Sequence, residues 1–182
     1  MILCEGARTE PNYFRALAQD LGLPNVDVDG PALLKDLPDR TCAAWADDFE
    51  EVWCVVDEDE RPEEIRRLRE RLARLQPGED ATSRSTVSTP CFEFWLLLHF
   101  EFTTQPFYGM AGGRSACQQV ILRLRGHVPD YKKNDASVYG QFKDKLQDAQ
   151  RNAERLDPDA SSPQTEIGEL VARLQRLAES QR

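Results

Sequence analysis

Four carboxylates stand where short apolar runs end. Glu5 follows Ile2-Leu3-Cys4, with Gly6 giving the backbone room to turn. Asp57 and Asp59 follow Val52-Trp53-Cys54-Val55-Val56, and Glu93 comes shortly after Ser85-Thr86-Val87-Ser88 and Thr89-Pro90. If each run is a strand, these acids lie at strand carboxyl ends, where open α/β sheets present functional groups. Residues i and i+2 of an extended segment point the same way, so Asp57 and Asp59 can face one cation. If the strands are neighbours, all four carboxylates converge. Such a cluster repels itself unless a cation joins it, and an oxygen-only ligand set suits Mg²⁺ or Mn²⁺. Two such ions can flank a phosphodiester, one activating water and one stabilising the leaving oxygen.

Each element also has an ordinary reading. A Glu-Gly pair or an Asp-x-Asp after a strand is common as a polar loop start. Acids at 57–60 and Glu93 also favour the positive end of a helix. The combination, in this order, is what points to metal chemistry.

The elements that must position these groups follow from hydropathy patterns. Ile2 to Cys4 reads as a stub of buried strand. Thr9 is a plausible N-cap for a helix to about Leu21, with Phe14, Leu17, Ala18 and Leu21 on one face and Gly22 ending it. Asn25 to Asp29 is a short strand candidate, residues 30–40 read as loop, and Cys42 to Phe49 as a short helix. Glu51 to Val56 is the clearest strand, continuously apolar as expected when both faces are covered. Pro62 opens a helix to about Gln76, with an apolar stripe at Ile65, Leu68, Leu72 and Leu75 and an arginine-rich outer face. That face, Arg66 to Arg74, reads as solvated and paired with Glu63, Glu64 and Glu70, or as a contact for substrate backbone. Ser85 to Ser88 is a further strand, and Thr89-Pro90 is expected to cap a helix over Cys91 to Phe100. Residues 101–116 read as loop, in which Tyr108, Gly109, Gly112, Gly113 and Arg114 are candidates for a segment over the site. Helices are expected over Ala116–Arg125, Ser137–Leu156 and Thr165–Glu179. Strand–helix alternation implies an α/β core with a mainly parallel sheet over residues 1–100, and 101–182 reads as a loop and helical extension packed on it.

Composition bounds the function. At 182 residues and 40% hydrophobic, the chain can bury a core. No apolar run approaches the ~18 residues of a membrane span, and the N-terminus shows no signal-peptide pattern, so a cytoplasmic location is expected. Net charge is −9, an awkward sign for a nucleic-acid binder. Residues 1–60 hold 15 acids against 4 bases, so the excess sits where the candidate ligands are. Five scattered cysteines are expected as buried free thiols, neither a disulfide framework nor a zinc site. His99 reads as a core or helix-end histidine, and Trp53, Phe92, Phe94 and Trp95 as core.

Glu-Gly after the first strand and Asp-x-Asp after a later one resemble the Toprim domain of topoisomerases, primases and overcoming-lysogenization-defect nucleases. The segments Cys4-Glu5-Gly6-Ala7-Arg8-Thr9-Glu10-Pro11-Asn12-Tyr13-Phe14, Val52 to Glu60 and Pro90-Cys91-Phe92-Glu93-Phe94-Trp95-Leu96-Leu97-Leu98-His99-Phe100 resemble signatures of the RloB family. Tyr131-Lys132-Lys133 and Pro163-Gln164-Thr165 are similar to weaker motifs of that family. The resemblance implies a Toprim-like (Rossmann-like) core and metal-dependent cleavage or rejoining of nucleic acid, DNA or RNA, in an anti-phage defence setting. It implies a catalytic set of Glu5, Asp57, Asp59 and Glu93; Lys133 is a further catalytic candidate, for stabilising phosphate charge, and its ordinary reading is a solvated loop lysine. It implies metal ligation by Glu5, Asp57, Asp59, Glu93 and Glu10, although Glu10 lies one residue further from Glu5 than the second glutamate of the nuclease branch. At single-domain length, any sensor or ATPase partner is expected to be a separate chain. The competing expectation is a Toprim-fold regulatory or binding module that does not cleave.

Overall fold

A computed structural model of the chain describes residues 1–78, 81–109, 111–157 and 162–181. Five strands form one sheet: β1 (Ile2–Cys4), β2 (Val28–Asp29), β3 (Glu51–Asp57), β4 (Thr82–Thr89) and β5 (Gln164–Thr165), in the order β2-β1-β3-β4-β5. The first four run parallel, and β5 pairs antiparallel with the end of β4. The α/β, mainly parallel expectation therefore holds, and the candidate strands β1, β3 and β4 are neighbours.

Helices cover both faces: α1 (Thr9–Asp20), α2 (Leu37–Ala46), α3 (Pro62–Ala73), α4 (Glu93–Leu97), α5 (Ala116–His127), α6 (Val138–Phe142), α7 (Leu146–Ala153) and α8 (Ile167–Ser180). The alternation along β3 builds two cores. Trp53 and Val55 join Ile2, Cys4 and the apolar sides of α1, α4, α5, α6, α7 and α8. Val52, Cys54 and Val56 join Leu3, Val87, α2 and α3. Period-two side-chain alternation is why an unbroken apolar run is needed there.

Several boundaries differ from the sequence expectation. Residues 37–40, read as loop, open α2: Pro38 sits in its first turn, where a missing N–H does no harm, and Leu37, Thr41 and Ala44 face inward. Thr9 does not cap α1. It is the first helical residue, 1% exposed, and its hydroxyl accepts from the Asn134 backbone N–H at 3.1 Å. The helix expected over 91–100 is short, because His99 and Phe100 donate to carbonyls three residues back, Leu96 O and Leu97 O, rather than four. The helix expected over 137–156 is two helices joined by a 3₁₀ turn at Lys143–Lys145. The segment 101–116 has no regular structure before Ala116 among its described residues, and Met110 lies outside them.

The cysteine expectation needs correcting: Cys91 and Cys117 form a disulfide that ties the start of α4 to α5, and Cys42 is exposed. Scattered spacing hid a pair that only the fold brings together. Among the described residues, no helix is long and apolar enough to cross a membrane.

Candidate functional site

Parallel pairing places the carboxyl ends of β1, β3 and β4 on one edge, with Cys4 beside Val55 and Asp57 beside Ser88. Glu5 continues the ladder, its N–H donating to Val55 O at 2.9 Å. Its carboxylate reaches sideways to the end of β3, where Oε2 accepts from the Asp57 backbone N–H at 3.3 Å. A pocket of about 170 Å³ opens there, lined by Glu5, Glu10, Asp57 and Asp59 and by the cations Arg61 and Lys133. Residues distant along the chain thus meet in one place.

Each acid is held differently. Asp57 Oδ1 accepts from the Phe92 backbone N–H at 2.8 Å, so β3 supplies an acceptor to the amide that precedes α4. Asp59 is exposed on the loop after β3, its backbone left-handed at φ 43°. The Asp59 N–H is fixed to Pro90 O at 3.0 Å. Glu10 projects from the first turn of α1 and is 5% exposed. A Cβ at position 6 would lie 2.0 Å from its Oε2, so any side chain there must displace this carboxylate.

Glu93 does not line the pocket but adjoins it through Lys133. It is fully buried; Oε1 accepts from Tyr131 Oη at 3.2 Å and pairs with Lys133 Nζ at 3.3 Å, while Cys117 Sγ lies 3.5 Å from Oε2. Lys133 is therefore more than a solvated loop lysine: it bridges Glu93 and the pocket.

The electrostatics are those of crowded like charge. Burial and then the charges of Glu10 and Glu93 push the Asp57 carboxyl well above the usual carboxylate range, against Lys133 and the Phe92 N–H. Burial, followed by Glu93 and Glu5, raises Glu10 despite its own backbone N–H and Lys133. Burial disfavours the Lys133 cation, but Glu93, Asp57 and Glu10 outweigh it and raise its pKa. Five carboxylates share two cations. An oxygen-only donor set in which burial and neighbouring acids raise Asp57 and Glu10 fits a hard divalent cation. A second group, Cys91, Glu93 and Cys117, has ligand atoms within 4.8 Å of one another. Its two sulfurs are spent on the disulfide, which leaves no thiolate to bind a metal.

Arg61, Tyr131 and Thr9 were not singled out for these roles from sequence. No local pattern marks Arg61, which precedes Pro62. In the fold its Nη2 donates to Glu5 Oε1 at 2.9 Å and to Asp57 O at 3.0 Å. Tyr131 was visible only as the start of a motif. The loop before α5 reaches the acidic turn: a Cβ at Gly109 would lie 2.6 Å from Glu60 Oε1. His99 lies 1% exposed among Tyr13, Trp95 and Phe142 and takes no part in the pocket.

Fold and site together define an α/β protein with a carboxylate-lined pocket at the carboxyl edge of a parallel sheet. The family model described as RloB-like protein matches residues 1–174, and the chain belongs to that family. Neither the curated proteins nor the solved structures return a match.

Proposed function

We propose that the protein is a Mg²⁺-dependent phosphodiesterase, a Toprim-type endonuclease acting on nucleic acid. The observation that carries this reading is the meeting of Glu5, Glu10, Asp57, Asp59 and Lys133 in one pocket. Glu5, Asp57 and Asp59 would hold the ion, Mg²⁺ or Mn²⁺, with Glu10 and Glu93 adding negative charge. Bound there, the ion supplies Lewis acidity to phosphoryl oxygens. The chain's own groups do the rest. Lys133, half-exposed at the pocket and anchored by Glu93, offers its ammonium to a phosphate oxygen as charge develops. Glu10, which lines the pocket beside Glu5 and Asp57, can take a proton from the attacking water at its carboxylate. The biological setting we propose is anti-phage defence in the cytoplasm, with a separate sensor or ATPase chain as partner; this rests on the RloB resemblance.

One observation favours the second reading, a module that binds without cleaving. Arg61 and Lys133 already pair with Glu5 and Glu93, so part of the cluster is satisfied by protein cations.

The test is incubation of plasmid, single-stranded DNA and total tRNA with the full chain and Mg²⁺ or Mn²⁺, alongside Asp59→Ala and Glu5→Ala. Metal-dependent cutting by the wild type, lost in both variants, is expected. Cutting by the variants at wild-type rate would remove the site assignment. No cutting of any substrate would leave the non-cleaving module as the better account.

A further inference from the structure

The two cations of the pocket are held in different ways. Lys133 pairs with Glu93, whose side chain is 1% exposed and is also held by Tyr131. Arg61 pairs with Glu5, and both remain reachable, with side-chain exposures of 33% and 22%. A single nitrogen, Nη2, makes both inward contacts, to Glu5 Oε1 and to Asp57 O. These oxygens end adjacent strands and are hard donors of the kind a divalent cation takes. The guanidinium thus sits as a monovalent stand-in on ligand atoms of the site. Its other terminal nitrogen, Nη1, lies 3.9 Å from Glu64 Oε2, an exposed carboxylate in the first turn of α3. The Arg61 backbone is pinned independently of the side chain, by its N–H donating to Glu58 O at 2.7 Å. The side chain can therefore turn outward without the loop moving.

Resting on the reading of the pocket as a divalent-cation site, we propose that Arg61 is its exchangeable counter-ion: it neutralises Glu5 while no divalent cation is bound, and turns to Glu64 when one takes Glu5. Arg61 is then a positioning residue that sets the cation concentration at which the pocket fills. Loading must break the Arg61–Glu5 pair, and Glu64 offsets part of that cost.

Calorimetric titration of the full chain with Mn²⁺ alone, without substrate, tests this. Arg61→Gln is expected to bind Mn²⁺ about fivefold more tightly than wild type, the scale of one partly exposed ion pair. Arg61→Lys, which keeps the charge, stays within about twofold of wild type. Glu64→Gln, which removes the outward partner at an exposed position, binds about twofold more weakly. If wild type binds and Arg61→Gln binds equally or more weakly, the exchange is overturned. Should Arg61→Gln fail to fold, unchanged affinity in Glu64→Gln overturns it instead. A wild type that takes up no Mn²⁺ sinks the divalent-cation reading itself, a result distinct from an unchanged variant.

Discussion

At the scale of single residues, the pocket separates groups that serve chemistry from groups that serve shape. Asp59 is exposed, and among the described residues its hydrogen bond is a backbone one, so Asp59→Asn, which tolerates the left-handed backbone at φ 43°, should sharply lower metal-dependent activity while leaving stability within about 0.5 kcal/mol. Paired activity and urea-unfolding measurements check this; a large stability loss would mean the side chain is structural. Gly6 is the opposite case. Gly6→Ala forces a methyl against the buried Glu10 carboxylate and should cost about 1–3 kcal/mol in urea unfolding. His99 gives a pH signature of its own. Its ring is buried, which lowers its pKa to about 4, and Nδ1 donates to Trp95 O while Nε2 has no partner among the described residues. Between the ordinary value of 6.5 and about 4, the unfolded chain binds a proton that the folded one refuses. Stability is therefore lost as pH falls through that window, by roughly 3 kcal/mol for this group. Unfolding at pH 7 and pH 4.5 should show His99→Phe losing less stability than wild type over this interval. Equal losses would mean that His99 is not buried as a neutral ring.

Secondary-structure elements show what was legible in the sequence and what was not. The strands carrying the acids were readable because β-branched and aromatic runs are local signals: β1 and β3 lie where expected, and β4 extends the expected Ser85–Ser88 run to Thr82–Thr89. Their adjacency, and so the convergence of Glu5, Asp57 and Asp59, was only conditional there. Strand β5 escaped because it is two polar residues, fixed by the contact of Ser88 Oγ with Thr165 Oγ1 at 2.9 Å. The break between α6 and α7 escaped because Val138, Phe142, Leu146 and Ala149 keep helical spacing across it. The bend turns Phe142 toward His99, Phe100 and Tyr131, partners no local pattern reveals. Glu93 was legible as an acid at a helix start but not as one enclosed by Tyr131, Lys133 and Cys117, since those arrive from later elements. The Cys91–Cys117 bridge closes a loop of 26 residues of sequence separation between α4 and α5. Reduction should lower unfolding free energy by roughly 3.5 kcal/mol on the loop-entropy scale. Cys117→Ser should show the same loss and no further response to a thiol reductant; a wild type indifferent to reductant would refute the bridge.

For the molecule as a whole, the acidic first third and the later segments are one electrostatic unit. The sheet edge brings the acids together, and residues 131–134 close over them with Lys133 and the Asn134 N–H. Burial and neighbouring acids make Asp57 and Glu10 hold a proton more tightly than ordinary carboxylates, so a cation competes with that proton and affinity should fall as pH is lowered. The rise in melting temperature on adding Mg²⁺ should accordingly be larger at pH 8 than at pH 6, which a thermal-shift series reads directly. The same shift at both values would mean that Asp57, the buried ligand, does not compete with the cation for a proton.

The most direct measurement is anomalous diffraction from crystals of the full chain soaked in Mn²⁺. A peak within ligand distance of Glu5, Asp57 and Asp59 is the predicted result. Mn²⁺ bound only elsewhere, with these three carboxylates untouched, would contradict the account.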